Sequence, residues 1–169
     1  MLNFYSGTAT EKVALAHSLH RTWERQHNIH GTVRDALQEL RLSVEALTLH
    51  MRSMGMNQLC CHCASRPGGG CCSALMADNT DAIQILINLL LGIVVEPLPH
   101  KEDACCFLGE QGCLFLAKPH FCLNYNCSHI RNRATDQEMK TLYRHTSTVL
   151  GRQTRMETQL IEIFHLPSE

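Results

Sequence analysis

The sequence lacks a surplus of charge. Lys and Arg number 15 against 16 Asp and Glu in 169 residues, so there is no global field to draw in nucleic acid. Arg131-Asn132-Arg133 is too short to act as a local basic patch. The opening stretch, Met-Leu-Asn-Phe-Tyr-Ser-Gly-Thr, lacks the basic region followed by an apolar region of a signal peptide. The expected setting is therefore the reducing cytoplasm, where free thiols persist and structural disulfides are rare. A long hydrophobic run is also missing. The best stretch, Ala82 to Val95, is broken by Gln84, Asn88 and Gly92 and is shorter than the ~20 residues of a spanning helix, so no membrane span is expected. Gly68-Gly69-Gly70 lacks the strand and helix context of a phosphate loop. No Ser-His-Asp order, paired carboxylates or internal repeat can be read, and these absences lean against an enzyme.

Cysteine is absent before Cys60, between Cys72 and Cys105, and after Cys127. All ten cysteines fall in two short windows: Cys60-Cys61-His62-Cys63 with Cys71-Cys72, and Cys105-Cys106 with Cys113, Cys122 and Cys127. Thiols placed for packing would be scattered along apolar helix faces. Gathered into two windows, they read as a chemical site.

The flanking segments read as helices. Thr8 with Glu11 forms a capping-box pattern ahead of a helix to His30, with Leu15, Leu19 and Trp23 on one stripe. Thr32 caps a second helix ending near Gly55. Along it Val33, Leu37, Leu40, Val44, Leu47, Met51 and Met54 make a heptad-like seam, which is either a core-facing stripe or the seam of a homodimer or protein partner. Asp78, Asn79 or Thr80 is placed to cap a third, buried helix through about Val94, ended by Pro97 and Pro99. Thr135 with Glu138 is a second capping box. It opens a long final helix with Met139, Leu142, Val149, Met156, Leu160 and Ile163 on its seam and Thr146 and Gln153 as polar entries. Met56 to Ser73 and Cys105 to Cys127 read as loops and short turns. The expected fold is mainly α: a small helical bundle, one domain over 1–169, with two cysteine-rich metal-binding loops at one end. Residues 1–55 would form a helical hairpin, 56–133 the cysteine-cluster region with its buried helix, and 134–169 the C-terminal helix.

Cys60 and Cys63 form a C-x2-C pair, the spacing with which two thiolates grip one metal. Many thiolates with few nitrogen or carboxylate companions favour soft-metal chemistry, either zinc or iron-sulfur clusters. His62 and His120 lie inside the windows, while His100 and His129 flank the second.

The second window, with Cys106-Phe107-Leu108, Gly112-Cys113, Pro119, Cys122 and Cys127, resembles the second half of the YkgJ-type cysteine-cluster family, described as zinc- or iron-chelating CxxCxxxCC proteins. Cys60, Cys63, Cys71 and Cys72 resemble its first motif, with a longer, Gly-rich spacer between Cys63 and Cys71. Lys118 and Leu123 stand where the family usually carries Arg. Residue by residue, the resemblance implies Cys60, Cys63, Cys71, Cys72, Cys106, Cys113, Cys122 and Cys127 as ligands, leaving Cys61, Cys105, His62 and His120 as supplementary candidates. Longer relatives are linked to protein-lysine methylation, but this chain shows no evident domain for a methyl donor. One or two iron-sulfur clusters are expected, for electron transfer, redox sensing or cluster holding. The spacings beyond Cys60/Cys63 suit a large object approached from several directions better than two compact zinc ions. The alternative is a zinc-stabilised interaction module that binds through its helix seams.

Overall fold

The fold is that of a computed structural model, which describes residues 3–25, 31–64, 70–99 and 103–165. It is mainly helical. In chain order the elements are α1 (Ala9–Arg25), α2 (Gly31–Ser53), α3 (Met56–Ala64), α4 (Ala74–Asp78), α5 (Ala82–Leu90), β1 (Leu108–Gly109), β2 (Gly112–Cys113), α6 (His120–Asn124), α7 (Ser128–Arg131) and α8 (Asp136–His165).

Both capping boxes form. Thr8 N–H donates to Glu11 Oε2 at 2.7 Å, and Glu11 N–H returns to Thr8 Oγ1 at 3.3 Å. Thr135 and Glu138 repeat this at 2.7 and 3.3 Å ahead of α8. Each box satisfies donors that the first helical turn leaves unpaired, and the bonds hold both glutamates below their ordinary pKa.

The seam of α2 is spent inside the chain. Val33, Leu40, Val44, Leu47 and Met51 are buried, and α2 packs along α8. There Leu142, Val149, Met156 and Leu160 meet them, with Thr146 and Gln153 buried in the same stripe. Burying each large aliphatic side chain contributes about 1.5–3 kcal/mol, so the α2–α8 pair is the main apolar seam of the fold. Helix α1 packs on α5, and α5 also meets α8. Ala82 through Leu89 are all buried, as the near-continuous apolar run implied.

The buried helix is shorter than expected. Asp78 and its neighbours belong to α4, a short helix the sequence did not reveal. Asp81 caps α5 instead, accepting from Gln84 N–H at 2.7 Å. The helix stops at Leu91 because Gly92 takes φ +75°, a conformation open to glycine, well before Pro97. Arg41 donates to the Leu91 carbonyl, placing a cation at the negative end of the helix.

The cysteine windows are more regular than loops. Cys60, Cys61 and Cys63 ride on α3, and Cys113 lies on β2, which pairs with β1 in the register Leu108↔Cys113 and Gly109↔Gly112. Cys122 lies on α6, and Cys127 N-caps α7. Residues 65–69, which include Pro67, Gly68 and Gly69 of the Gly-rich spacer, and 26–30, at the end of the expected first helix, lie outside the described residues, as does His100.

Candidate metal centre

The two windows meet because the chain before α4 pairs with the chain before β1. Ser73 and Ala104 form an antiparallel bridge. Ala74 N–H donates to Asp103 O at 3.1 Å and Cys105 N–H to Cys72 O at 3.2 Å. These bonds hold Cys71-Cys72 beside Cys105-Cys106, although α5 lies between them in sequence.

The result is a cavity of roughly 120 Å³ lined by Cys60, Cys63, Cys71, Cys72, Cys105, Cys113, Cys122 and Cys127. Seven of these belong to the ligand set implied by the resemblance. The eighth lining cysteine is Cys105, a supplementary candidate in the sequence. Cys106 is not among the lining residues. Its thiol feels the charge of Asp78, and its carbonyl accepts from Leu98 N–H at 2.8 Å. Of this adjacent pair only Cys105 lines the cavity; Cys106 already belongs to the turn that leads into β1. Which of them does so is set by the bridge to Ser73, a long-range contact no local spacing reveals. Cys71 and Cys72, also adjacent, both line the cavity.

The remaining candidates sit elsewhere. Cys61 turns to the β-hairpin, its thiol donating to Gly109 O at 3.4 Å and Glu110 O at 3.7 Å. His62 is exposed on α3 and does not line the cavity. His120 also lies outside the lining; it neighbours Asp81 and Glu157, where its charge opposes the upward push of burial on both carboxyls. His129 does line the cavity.

The walls between the thiols are apolar. Phe107, Leu108, Phe115 and Phe121 line the cavity, joined by Met51, Met56 and Leu59 from α2 and α3. Leu114 and Leu116, on the same stretch, are not among the lining residues. Phe107 and Phe115 stack with centroids 4.7 Å apart.

Burial governs the thiols. It pushes Cys60 up to about 11, Cys105 up to about 11 and Cys122 up to about 12, because an apolar wall disfavours a thiolate and neighbouring sulfurs repel it. Burial also raises Cys113, partly opposed by the Lys118 ammonium. Cys71 runs the other way. The Cys72 thiol donates to its sulfur, which lowers Cys71 and raises Cys72. Apart from Cys71, the shifted thiols Cys60, Cys72, Cys105, Cys113 and Cys122 favour the neutral form, and a metal held there would supply the positive charge their thiolates need.

The donor set fits a soft metal. A single zinc held by four thiolates at ~2.3 Å leaves little free space around itself. The cavity here approaches the ~150 Å³ of an apolar cavity that admits benzene. Among the described residues, no three His, Cys, Asp or Glu side chains converge closely enough to hold one ion. The thiols ring a space rather than meet at a point.

Comparison of the chain with protein-family models, with curated proteins and with solved structures finds no match.

Proposed function

We propose that this chain is a metal-binding cysteine-cluster protein carrying one or two iron-sulfur clusters, used for electron transfer, redox sensing or cluster holding. One observation carries the reading: eight thiols from two windows far apart in sequence line a single apolar cavity. Its size and the ringed arrangement of donors support a multi-atom group over a lone ion, and the aromatic walls would shield such a group from water and tune its potential. The motif resemblance to the YkgJ-type family points the same way. The eight donors of the proposed site are Cys60, Cys63, Cys71, Cys72, Cys105, Cys113, Cys122 and Cys127, with Cys105 replacing Cys106.

Zinc is the second reading. Cys60 and Cys63, three residues apart on α3, favour it as a compact grip. In that case the metal closes the windows and the protein acts as an interaction module. No described helix is long and apolar enough to cross a membrane, and the proposed setting is cytoplasmic, with a protein as partner.

Purification without oxygen, followed by iron, acid-labile sulfide and zinc analysis, tests both. A coloured protein with iron and sulfide in comparable amounts and visible charge-transfer absorption is the expected result. A colourless protein that keeps stoichiometric zinc through chelation refutes the cluster and establishes the zinc reading.

A further inference from the structure

A short segment, Ala117-Lys118, lies between Cys113 and Cys122, with Ala117 buried and Lys118 half-buried. It belongs to no strand, and the Ala117 backbone groups lie inside the protein. Three amide side chains serve it instead. Asn88, fully buried on α5, accepts from Ala117 N–H at 3.0 Å and donates to Ala117 O at 2.8 Å. Gln84, one turn earlier, donates to the same carbonyl at 2.8 Å. Gln153, buried on α8, donates to Gln84 Oε1 at 2.5 Å and to Lys118 O at 3.0 Å. Asn88 is further braced by donating to the Gln84 carbonyl at 3.0 Å.

Asn88 thus acts toward Ala117 as a neighbouring strand would, engaging both the N–H and the C=O of one residue. The segment it grips runs directly into the cavity wall. Lys118 and Pro119 line the cavity, with Cys113 before them and Cys122 after. Buried amide groups are retained in a core when their hydrogen bonds are met, and here the Asn88 amide, the Gln84 amide and the Gln153 Nε2 group are spent on the stretch between Cys113 and Cys122, while Gln153 Oε1 is left without a partner. A hydrophobic α5 would bury as well, but it would leave this stretch without partners.

We infer that Asn88, Gln84 and Gln153 form a positioning clamp that fixes Cys113 and Cys122 across the cavity and so sets its metal-binding geometry. The clamp touches no metal and acts through the backbone of Ala117 and Lys118. The inference rests on the cavity being a metal site, and the test keeps the two apart.

Asn88→Leu, nearly the same size, removes the clamp's central member. Val44→Ala, in the α2–α8 seam, serves as a control that weakens the fold without touching the clamp. Each full-length protein is reconstituted without oxygen using ferrous iron and sulfide, or loaded with Zn²⁺ alone. Metal is counted per folded chain. In a parallel measurement, alkylation of Cys113 and Cys122 in the reduced, metal-free proteins is followed residue by residue by mass spectrometry. The expected result for Asn88→Leu is metal affinity at least tenfold weaker with altered charge-transfer bands, and alkylation of Cys113 or Cys122 at least tenfold faster. Val44→Ala should match the wild type in all three. If Asn88→Leu keeps wild-type affinity and spectrum while only its melting temperature falls, the clamp is merely structural and the inference is overturned. If the wild type takes up neither metal, the proposed function fails and alkylation alone decides: acceleration confined to Asn88→Leu upholds the clamp, and equal rates in all three proteins overturn it. Should Asn88→Leu not fold, Gln153→Met, which releases only the Lys118 carbonyl and the Gln84 brace, is read in the same way.

Discussion

A β-carbon on Gly70 would stand 2.9 Å from the sulfur of Cys63. Real side-chain carbons do not approach so closely, so any side chain at Gly70, within the first window, would have to push the Cys63 sulfur out of place. The backbone of Cys63 and Ala64 stands at 3.4 Å, an ordinary contact, so the sulfur is the atom that must move. Gly70→Ala is expected to displace the Cys63 sulfur and lower metal affinity by about tenfold, leaving the helical circular dichroism unchanged. Metal titration of the two proteins checks this; equal affinity would show that Cys63 is not a donor or that the ring tolerates its shift.

The adjacent cysteines give a sharper comparison. Cys105→Ser is expected to reduce bound metal per chain, while Cys106→Ser should leave it near the wild-type level, since Cys105 alone of the two lines the cavity. Metal analysis after identical anaerobic preparation decides the matter. Greater loss from Cys106→Ser would mean that the Cys72–Cys105 pairing is misplaced.

The metal-free protein should weaken in alkali. Cys60, Cys105 and Cys122 are raised from 9.0 to about 11, about 11 and about 12. A raised folded pKa means the folded chain holds these protons more tightly than the unfolded one. The stability they contribute is complete below about pH 9 and is lost as pH climbs through 11 to 12. Metal uptake has the opposite sign, because binding releases the same protons and strengthens as pH rises. Melting curves of reduced, metal-free protein at pH 8 and pH 11 read the first effect, and competition with a chelator over a lower pH range reads the second. A melting temperature that does not fall between those two values would contradict the burial of these thiols.

Core and site should separate under mutation. Leu40 is 0% exposed in the α2–α8 seam, and Leu40→Ala is expected to cost about 2–5 kcal/mol in denaturant unfolding. Metal bound per folded chain should not change. A proportional loss of metal would show that the seam and the cavity are coupled.

The sequence announced the helices through features that act locally. Thr8 with Glu11 and Thr135 with Glu138 cap where they were expected to, since a capping box needs only four consecutive residues. The polar entries Thr146 and Gln153 were visible as breaks in an apolar stripe, but the role of Gln153 depends on a backbone segment 35 residues away and could not be read. Helix α3 was hidden because its cysteines drew the reading toward a loop, although Met56 to Ala64 contains neither proline nor glycine. The end of α5 was misplaced because Pro97 is the obvious stop, while Gly92 acts first. The choice between Cys105 and Cys106 was beyond local inspection altogether, since pairing with the far side of α5 makes it.

That pairing of Ser73 with Ala104 also fixes an order of events. Closing a chain over such a separation costs entropy before any contact repays it, unless the intervening helix has already docked and shortened the effective loop. Refolding should therefore proceed from α5 and its helical neighbours outward, with the thiol ring assembled last, on a scaffold already standing. A metal, if the cavity takes one, would then load late, on a folded scaffold, and pulse-labelled amide exchange should find α5 and α8 protected before the residues around Cys72 and Cys105.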